Sequence, residues 1–279
     1  MTQRAPHIRI LRGLSAVALA ALLLATTGCT KLRARDQLNK GVQQYKANKF
    51  EKAIEHFKNA ADLDPSLDVA KLYLATACAA QYVPGSDEPS NLRMADCALE
   101  NFKKVLESDP KNSLSAKGIA ALYLNMKKFE DAKQWNRKAI ELDPFDPTAY
   151  YSIAVIDWTQ SYAPRTEARL KNGITDAFAP IKDKKLCEDL RTQHWDQIDE
   201  GIKMLEKSLQ LRRDYDDAMA YLNLLYRERA DYQCGDTAAR EADLKSADEW
   251  VEKTKQTRLA KAEKAKEQHG IVLDQPQNK

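Results

Sequence analysis

The sequence predicts an all-α protein, a right-handed α-solenoid of about five helical hairpins with two insertions and a C-terminal capping helix. Three observations carry this prediction. The chain is rich in alanine, leucine, lysine and glutamate and has only 9 glycines among 279 residues, which favours helix. An Asp-Pro pair, which ends a helix, recurs at Pro65, Pro110 and Pro144, and the last two prolines are 34 residues apart. Residues 41–65 read as two short amphipathic helices joined by a polar turn.

The first hairpin shows how one unit is built. Gly41 and Ala53 are small at the positions where the two helices must cross closely. Tyr45, Phe50 and Phe57 supply bulk around that crossing. Because one hairpin cannot bury its own apolar face, the unit has to recur along the chain.

This order of small, aromatic and proline positions resembles the tetratricopeptide repeat (TPR), a helical hairpin of 34 residues. The third copy, residues 113–144, carries the pattern most fully. Its matching positions are Ala120, Tyr123, Phe129, Ala132 and Ala139. The resemblance implies a solenoid in which the first helix of each hairpin, helix A, lines a groove for a protein or peptide.

Carried over residue by residue, the resemblance places this groove at thirteen mainly apolar or aromatic positions. They are Leu38, Val42, Tyr45, Leu72, Thr76, Lys117, Ala121, Leu124, Tyr151, Val155, Trp158, Leu224 and Arg227. The set lacks the lysine and asparagine residues with which some chaperone-binding members hold a C-terminal carboxylate. An apolar groove suits an amphipathic helix or an extended apolar peptide. In the alternative, the insertions pack over these residues and fill the groove.

Two insertions interrupt the repeats. The first, at about residues 81–92, enlarges the turn of repeat two with two prolines and a glycine. The second, at about residues 163–194, separates the helices of repeat four and contains two predicted short helices, PRTEARLKN and KKLCEDLRTQ. Repeat four opens with Asp146 as a helix N-cap and Pro147 at the first helical position. Its second helix has Gly201 at the small position.

The predicted boundaries follow from these elements. They are a signal peptide at 1–28, a lipidated N-terminus and linker at 29–37, the solenoid at 38–237, a capping helix at 238–268 and a disordered tail at 269–279. The capping helix interleaves lysines with glutamates on its polar half. That pattern favours a solvated terminal helix over a nucleic-acid site.

The N-terminus predicts export. Three arginines precede an apolar run at residues 14–25, which is short for a spanning helix of ~20 apolar residues. The following Gly28-Cys29 pair resembles a bacterial lipoprotein signal, although Thr26 stands where that signal has an aliphatic residue. The resemblance implies a lipid on Cys29 and, because Thr30 is not aspartate, an outer-membrane position facing the periplasm. An uncleaved anchor and ordinary signal-peptidase cleavage are the alternatives.

Charge and motif content argue against several function classes. Without the three leader arginines, basic and acidic residues balance, which gives no electrostatic argument for nucleic acid. Four scattered histidines and the absence of phosphate-loop, GxSxG and metal-spaced Cys/His patterns predict no catalytic residue, no metal and no cofactor. An enzyme would require the second insertion to form a pocket with converging acidic residues.

Four cysteines besides Cys29 form an even set in a chain expected to be exported, and they allow three pairings. In the predicted hairpins Cys78 and Cys97 meet across repeat two, at the base of the first insertion. Cys187 in the second insertion and Cys234 in the next turn lie on the same edge. The fold therefore favours Cys78–Cys97 and Cys187–Cys234. In the alternative, Cys78 is a buried free thiol that packs as a small hydrophobe.

Two functions remain after these exclusions. The leading hypothesis is a non-enzymatic, lipid-anchored envelope scaffold that binds a protein partner through the solenoid. Similar repeat lipoproteins assist envelope and secretion-complex assembly, which is an analogy of fold alone. The second is a glycan- or solute-binding lipoprotein in which Tyr151, Trp158 and Trp195 act as stacking platforms. Trp195 has an alternative role, packing the second insertion onto the solenoid.

Overall fold

The computed structural model describes residues 29–176 and 179–273, with side chains described to residue 267. This part of the chain contains ten α-helices and no strand, so the all-α prediction is confirmed. The predicted signal peptide, residues 1–28, lies outside the described residues. The helices are α1 (29–46), α2 (Phe50–Leu63), α3 (Asp68–Gln81), α4 (Pro89–Ser108), α5 (Ser113–Asn125), α6 (Phe129–Leu142), α7 (Pro147–Lys171), α8 (Lys184–Leu211), α9 (Asp216–Asp231) and α10 (Thr237–Leu273).

The described residues divide into two compact units, an N-terminal one that ends at Leu122 and a C-terminal one that begins at Tyr123. In the first unit, small residues allow the helices to cross closely. A Cβ atom on Gly41 in α1 would lie 2.5 Å from Cδ1 of the buried Phe57 in α2. Gly118 in α5 faces the Phe102 ring of α4 in the same way. The small and large positions of the repeat therefore meet in pairs.

The first insertion is a short loop fastened at its base. Asn91, in the first turn of α4, accepts a hydrogen bond from the Val83 amide (2.7 Å) and donates to the Val83 carbonyl (2.9 Å) and the Ser86 carbonyl (2.8 Å). A disulfide joins Cys78 to Cys97, with 6.0 Å between their Cα atoms. Residues 89–92, predicted within the insertion, instead begin α4, because proline is well suited to the first helical turn.

The second insertion lengthens two helices. The prediction of two separate short helices is wrong: PRTEARLKN continues α7, and KKLCEDLRTQ begins α8. Pro164 lies inside α7, where it leaves one backbone hydrogen bond unmade without ending the helix. Asp146 is the N-cap of α7, as predicted, and accepts a hydrogen bond from the Thr148 amide at 2.8 Å. Gly201 in α8 is packed so closely that a Cβ would lie 2.9 Å from Cδ1 of Leu225.

Two predicted boundaries shift, the start of the solenoid and the end of the capping helix. Residues 29–37, predicted as a linker, belong to α1, where Ala34 is buried and Gln37 Oε1 lies 2.7 Å from Nδ1 of His56 in α2. At the other end α10 continues to Leu273, so residues 269–273 are helical and only 274–279 of the predicted tail lie outside the described residues. Among the described helices, none is both long and apolar enough to cross a membrane.

Candidate functional site

The predicted groove positions are all at least partly accessible. Ala121 is exposed, and the other twelve side chains are half-buried. Those in the N-terminal unit lie on α1, α3 and α5, where Tyr45 packs edge-on against Phe50 with ring centroids 5.1 Å apart. The Thr76 hydroxyl donates a hydrogen bond to the Leu72 carbonyl of the same helix, at 2.8 Å.

In the C-terminal unit, three predicted positions line one cavity of about 420 Å³. Trp158 comes from α7, and Leu224 and Arg227 come from α9. The other lining residues on these two helices lie on the same helix faces as the predicted ones. They are Tyr162, Arg165, Thr166, Arg169 and Leu170 from α7 and Asn223 and Asp231 from α9. Ile174 and Thr175 follow α7, and Arg240, Leu244 and Val251 come from α10. The remaining predicted positions of this unit, Leu124, Tyr151 and Val155, are half-buried beside other neighbours.

A second cavity of about 400 Å³ extends this site along α9 and α10. It shares Asn223 and Val251 with the first and continues to Lys255, Arg258 and Leu259. We call the two cavities together the α7–α9–α10 groove. Its α10 wall runs from residue 240 to residue 259, about 28 Å at the helical rise of ~1.5 Å per residue.

Exposed apolar side chains concentrate in this groove. The C-terminal unit has five large apolar side chains with substantial exposure among its described residues. Four of them line the groove, namely Tyr162 (43%), Leu170 (61%), Val251 (45%) and Leu259 (55%). The fifth is Phe145, in the turn before α7. Several large exposed apolar side chains along one groove are typical of a binding site.

The groove is also basic. Its lining residues include six cations and one carboxylate: Arg165, Arg169, Arg227, Arg240, Lys255, Arg258 and Asp231. Part of this charge is neutralised: Asp231 in the lining pairs with Arg165 and Arg169, and further carboxylates lie outside the lining. Arg227 reaches Asp248 at 2.6 Å, and Arg258 reaches Asp216 at 2.8 Å. Hydrogen bonds from Lys261 and Arg258 hold the pKa of Asp216 down at about 2.

A buried polar layer supports the floor of the groove. Arg165 Nε donates to Asp231 Oδ2 at 2.8 Å, and Arg169 Nη1 donates to the same oxygen at 2.7 Å. One α9 turn away, Glu228 is almost fully buried and lies 3.2 Å from the hydroxyl of Ser161. Burial raises the pKa of Glu228 to about 8, against the opposing charge of Arg165 and the Ser161 hydrogen bond. Burial therefore favours the protonated form of Glu228.

The aromatic residues proposed as stacking platforms contact other rings. Tyr151 packs against Tyr215 and Tyr221, with centroids 4.9 and 5.6 Å away. Trp158 packs against Tyr221 at 5.4 Å and Tyr162 at 4.7 Å. Burial raises the pKa of Tyr151. These rings therefore form a packed cluster, with Trp158 and Tyr162 at its groove edge.

Trp195 occupies a different place from this cluster. It lies in α8, half-buried against the hydrophobic core of the C-terminal unit. The Arg191 guanidinium lies 4.3 Å from the centroid of its ring. Trp195 therefore lies where the alternative role, packing of the second insertion onto the solenoid, would place it.

Sequence reasoning missed the contribution of α10. The predicted capping helix supplies Leu244, Val251 and Leu259 to the groove. These three residues are spaced at nearly seven-residue intervals, a pattern that indicates an apolar face on one side of a helix. It also missed Tyr215 and Tyr221, which come next to Tyr151 only in the folded unit. Within the described ranges, no group of three or more His, Cys, Asp or Glu side chains could hold a metal ion.

Comparison with known proteins supports the repeat assignment. Residues 93–155, from α4 into α7, match the family model of the tetratricopeptide repeat. Among curated protein sequences, none matches the chain. The fold is similar to a crystal structure of MamA protein, at 14% identity and a TM-score of 0.53, covering 83% of this chain and 94% of that one. It is likewise similar to MamA 41-end from Desulfovibrio magneticus RS-1, at 17% identity and a TM-score of 0.52, covering 82% and 96%.

At such low identity these similarities show the fold alone. Together with the all-helical architecture, they confirm the predicted fold class, an all-α solenoid of TPR type. The chain is thus a helical-repeat protein, a class of fold that generally serves protein interaction.

Proposed function

We propose that this protein is a non-enzymatic scaffold that binds an extended segment of a partner protein in the α7–α9–α10 groove. The carrying observation is the concentration of exposed apolar side chains there: Tyr162, Leu170, Val251 and Leu259 line one groove. Such a surface loses unfavourable contact with water when an apolar partner covers it.

Charge complementarity specifies the partner segment. Arg227, Lys255 and Arg258 are distributed among the apolar lining, and Asp248 and Asp216 pair with the two arginines from outside it. A segment that alternates apolar and acidic residues would place its apolar side chains in the groove and its carboxylates near these cations. About eight or nine extended residues, at ~3.3 Å each, span the α10 wall.

The test uses three labelled nine-residue peptides that alternate leucine with glutamate, glutamine or lysine. Fluorescence anisotropy should show the glutamate peptide binding most tightly and the lysine peptide most weakly. Val251→Asp should weaken binding of the glutamate peptide about 10-fold or more, because it places a carboxylate at the centre of the apolar lining.

Phe145→Asp is the matched control, since Phe145 is 79% exposed and lies outside the groove. It should leave binding unchanged. Equal loss in both variants, or no binding of any peptide, would reject the groove as the binding site. Saturable binding of a glycan in place of every peptide would favour the stacking-platform function instead.

We further propose that the scaffold is exported and anchored to a bacterial envelope by a lipid on Cys29, with the groove facing the periplasm. The support is the basic leader, the apolar run and the Gly28-Cys29 pair. Metabolic labelling with a fatty-acid analogue in a bacterial host should modify the native chain and not Cys29→Ser. An unlabelled native chain would contradict lipidation while leaving the binding proposal intact.

A further inference from the structure

Each of the two disulfides joins a fully buried cysteine to a half-buried one. Cys187 is fully buried in the first turn of α8, and its partner Cys234 is half-buried in the turn between α9 and α10. Cys234 lines an open cavity of about 450 Å³. We propose that the Cys187–Cys234 disulfide is a thiol–disulfide exchange site at which a dithiol reductant attacks Sγ of Cys234.

Access to Cys234 does not require unfolding. The cavity wall consists of Pro180, Ile181, Lys182, Lys184, Gly235, Asp236, Thr237 and Arg240 besides the cysteine. Most of these residues belong to the loop before α8 and the turn before α10. A reductant therefore approaches the sulfur between two connecting segments rather than through the helical core.

The charge around this sulfur favours exchange. The attacking group is a thiolate, and negative charge spreads over three sulfur atoms during the exchange. Lys182, Lys184 and Arg240 bring positive charge to the cavity. Lys184 also lies 3.7 Å from Glu188, and Asp236 is the carboxylate of the wall, so the surplus of positive charge is moderate.

The exchange proceeds in two balanced steps. The reductant thiolate forms a bond with Sγ of Cys234, and the Cys187–Cys234 bond breaks with its electron pair on Cys187, which then takes a proton from water. The second thiolate of the reductant forms a bond with the reductant's own sulfur in the mixed disulfide, and Cys234 leaves as a thiolate that takes a proton from water. The products are two cysteine thiols and an oxidised dithiol.

This disulfide lies directly behind the groove. Sγ of Cys187 is 3.3 Å from the carbonyl oxygen of Asp231, whose carboxylate holds Arg165 and Arg169. Arg169 in turn donates to the carbonyls of Asp176 (2.6 Å) and Ala179 (3.0 Å) in the loop that leads to Cys187. Reduction removes the covalent bond between the first turn of α8, which this loop precedes, and the α9–α10 turn.

The Cys78–Cys97 pair provides an internal reference. It joins α3 to α4 within one hairpin, with Cys78 fully buried and Cys97 half-buried. Because the burial matches that of Cys187 and Cys234, a difference in rate reports the basic cavity beside Cys234. Treatment of the oxidised protein with dithiothreitol or a thioredoxin, followed by timed alkylation and mass spectrometry, compares the two pairs in one sample. We expect Cys187 and Cys234 to become alkylated about 10-fold faster than the reference pair. Equal rates, or alkylation only after the helical circular-dichroism signal is lost, would overturn the proposal.

Charge variants make the test specific to the cavity. Lys182→Glu combined with Lys184→Glu should slow reduction by either reagent several-fold, because both reagents attack as thiolates. Lys185→Glu, at an exposed neighbouring position outside the cavity wall, is the matched control. An identical rate for the double variant and the control would contradict the role of the cavity.

Discussion

Arg169 and Asp231 form a buried ion pair that joins three parts of the C-terminal unit. Nη1 of Arg169 lies 2.7 Å from Oδ2 of Asp231, and their side chains are 6% and 4% exposed. The same guanidinium donates from Nη2 to two carbonyls of the loop after α7. One side chain therefore links α7, α9 and the loop that borders the groove.

Replacing Arg169 by methionine should destabilise the protein by about 3 kcal/mol. The change keeps an apolar side chain at this position. It leaves the buried Asp231 carboxylate with Arg165 as its remaining ion-pair partner. The carbonyls of Asp176 and Ala179 also lose the hydrogen bonds that Arg169 donates. Urea unfolding followed by circular dichroism measures the loss.

The control is Arg137→Met, which removes a guanidinium that pairs with Glu200 but is half exposed. An exposed pair contributes about 0–1 kcal/mol, so this variant should remain close to the native stability. Equal losses for the two variants would show that burial of the Arg169 pair has no special effect.

Features that depend only on residues close together in the sequence could be predicted. The Asp-Pro stops, the small residues that face large ones and the N-cap at Asp146 each depend on neighbours within one hairpin. The favoured pairing of Cys78 with Cys97 also followed from a single antiparallel hairpin, and the structure contains it.

Features that depend on distant residues were harder to predict. Pro164 reads locally as a helix breaker, yet α7 continues through it because the following residues, including Arg169, are held by α9. Arg169 and Asp231 are 62 residues apart, so no spacing rule connects them. The groove was assigned to the first helix of each hairpin, whereas α10 supplies Leu244 and Val251 to it.

Gly41→Ala should destabilise the N-terminal unit by about 1–3 kcal/mol. The new Cβ would meet the buried Phe57 ring at 2.5 Å, and the strain of overpacking exceeds the gain in helix propensity of up to ~1 kcal/mol. Gln43→Ala, at an exposed position of the same helix, is the control and should change stability little. An increase in thermal midpoint for Gly41→Ala would contradict the close crossing.

Asn91→Ala should loosen the first insertion. Three backbone groups of residues 83–86 would lose the hydrogen bond that each makes with Asn91, although the Val83 carbonyl keeps the one from the Ser86 amide, and the cost should be about 2–4 kcal/mol. Hydrogen exchange should become faster at the Val83 amide, which donates to Asn91. The adjacent Ser90→Ala, at an exposed position, should leave that amide protected.

Glu228 should make stability fall as pH rises. Its pKa is about 8 in the folded protein against a reference value of 4.5, so between these values the folded state binds more protons than the unfolded state. The contribution of Glu228 to the free energy of unfolding is fully present below about pH 4.5. It decreases progressively up to about pH 8, by at most ~1.4 kcal/mol per pH unit. The groups facing it are Ser161 and Arg165 from α7, Asp231 on α9 and Tyr232 directly after α9.

Glu228→Gln removes this dependence because glutamine carries no titrating proton. Urea unfolding at pH 5, 6, 7, 8 and 9 measures the free energy of unfolding of both proteins. Relative to the native protein, the free energy of unfolding of the variant should increase up to about pH 8, and the difference should be constant above that pH. Part of the decline should persist in the variant, since burial also raises the pKa of Asp157 to about 7 against the opposing hydrogen bond from Lys133. Glu241→Gln, at an exposed position of α10, is the control. A difference between Glu228→Gln and the native protein that stays constant from pH 5 to pH 9 would show that Glu228 does not hold an extra proton in the folded state.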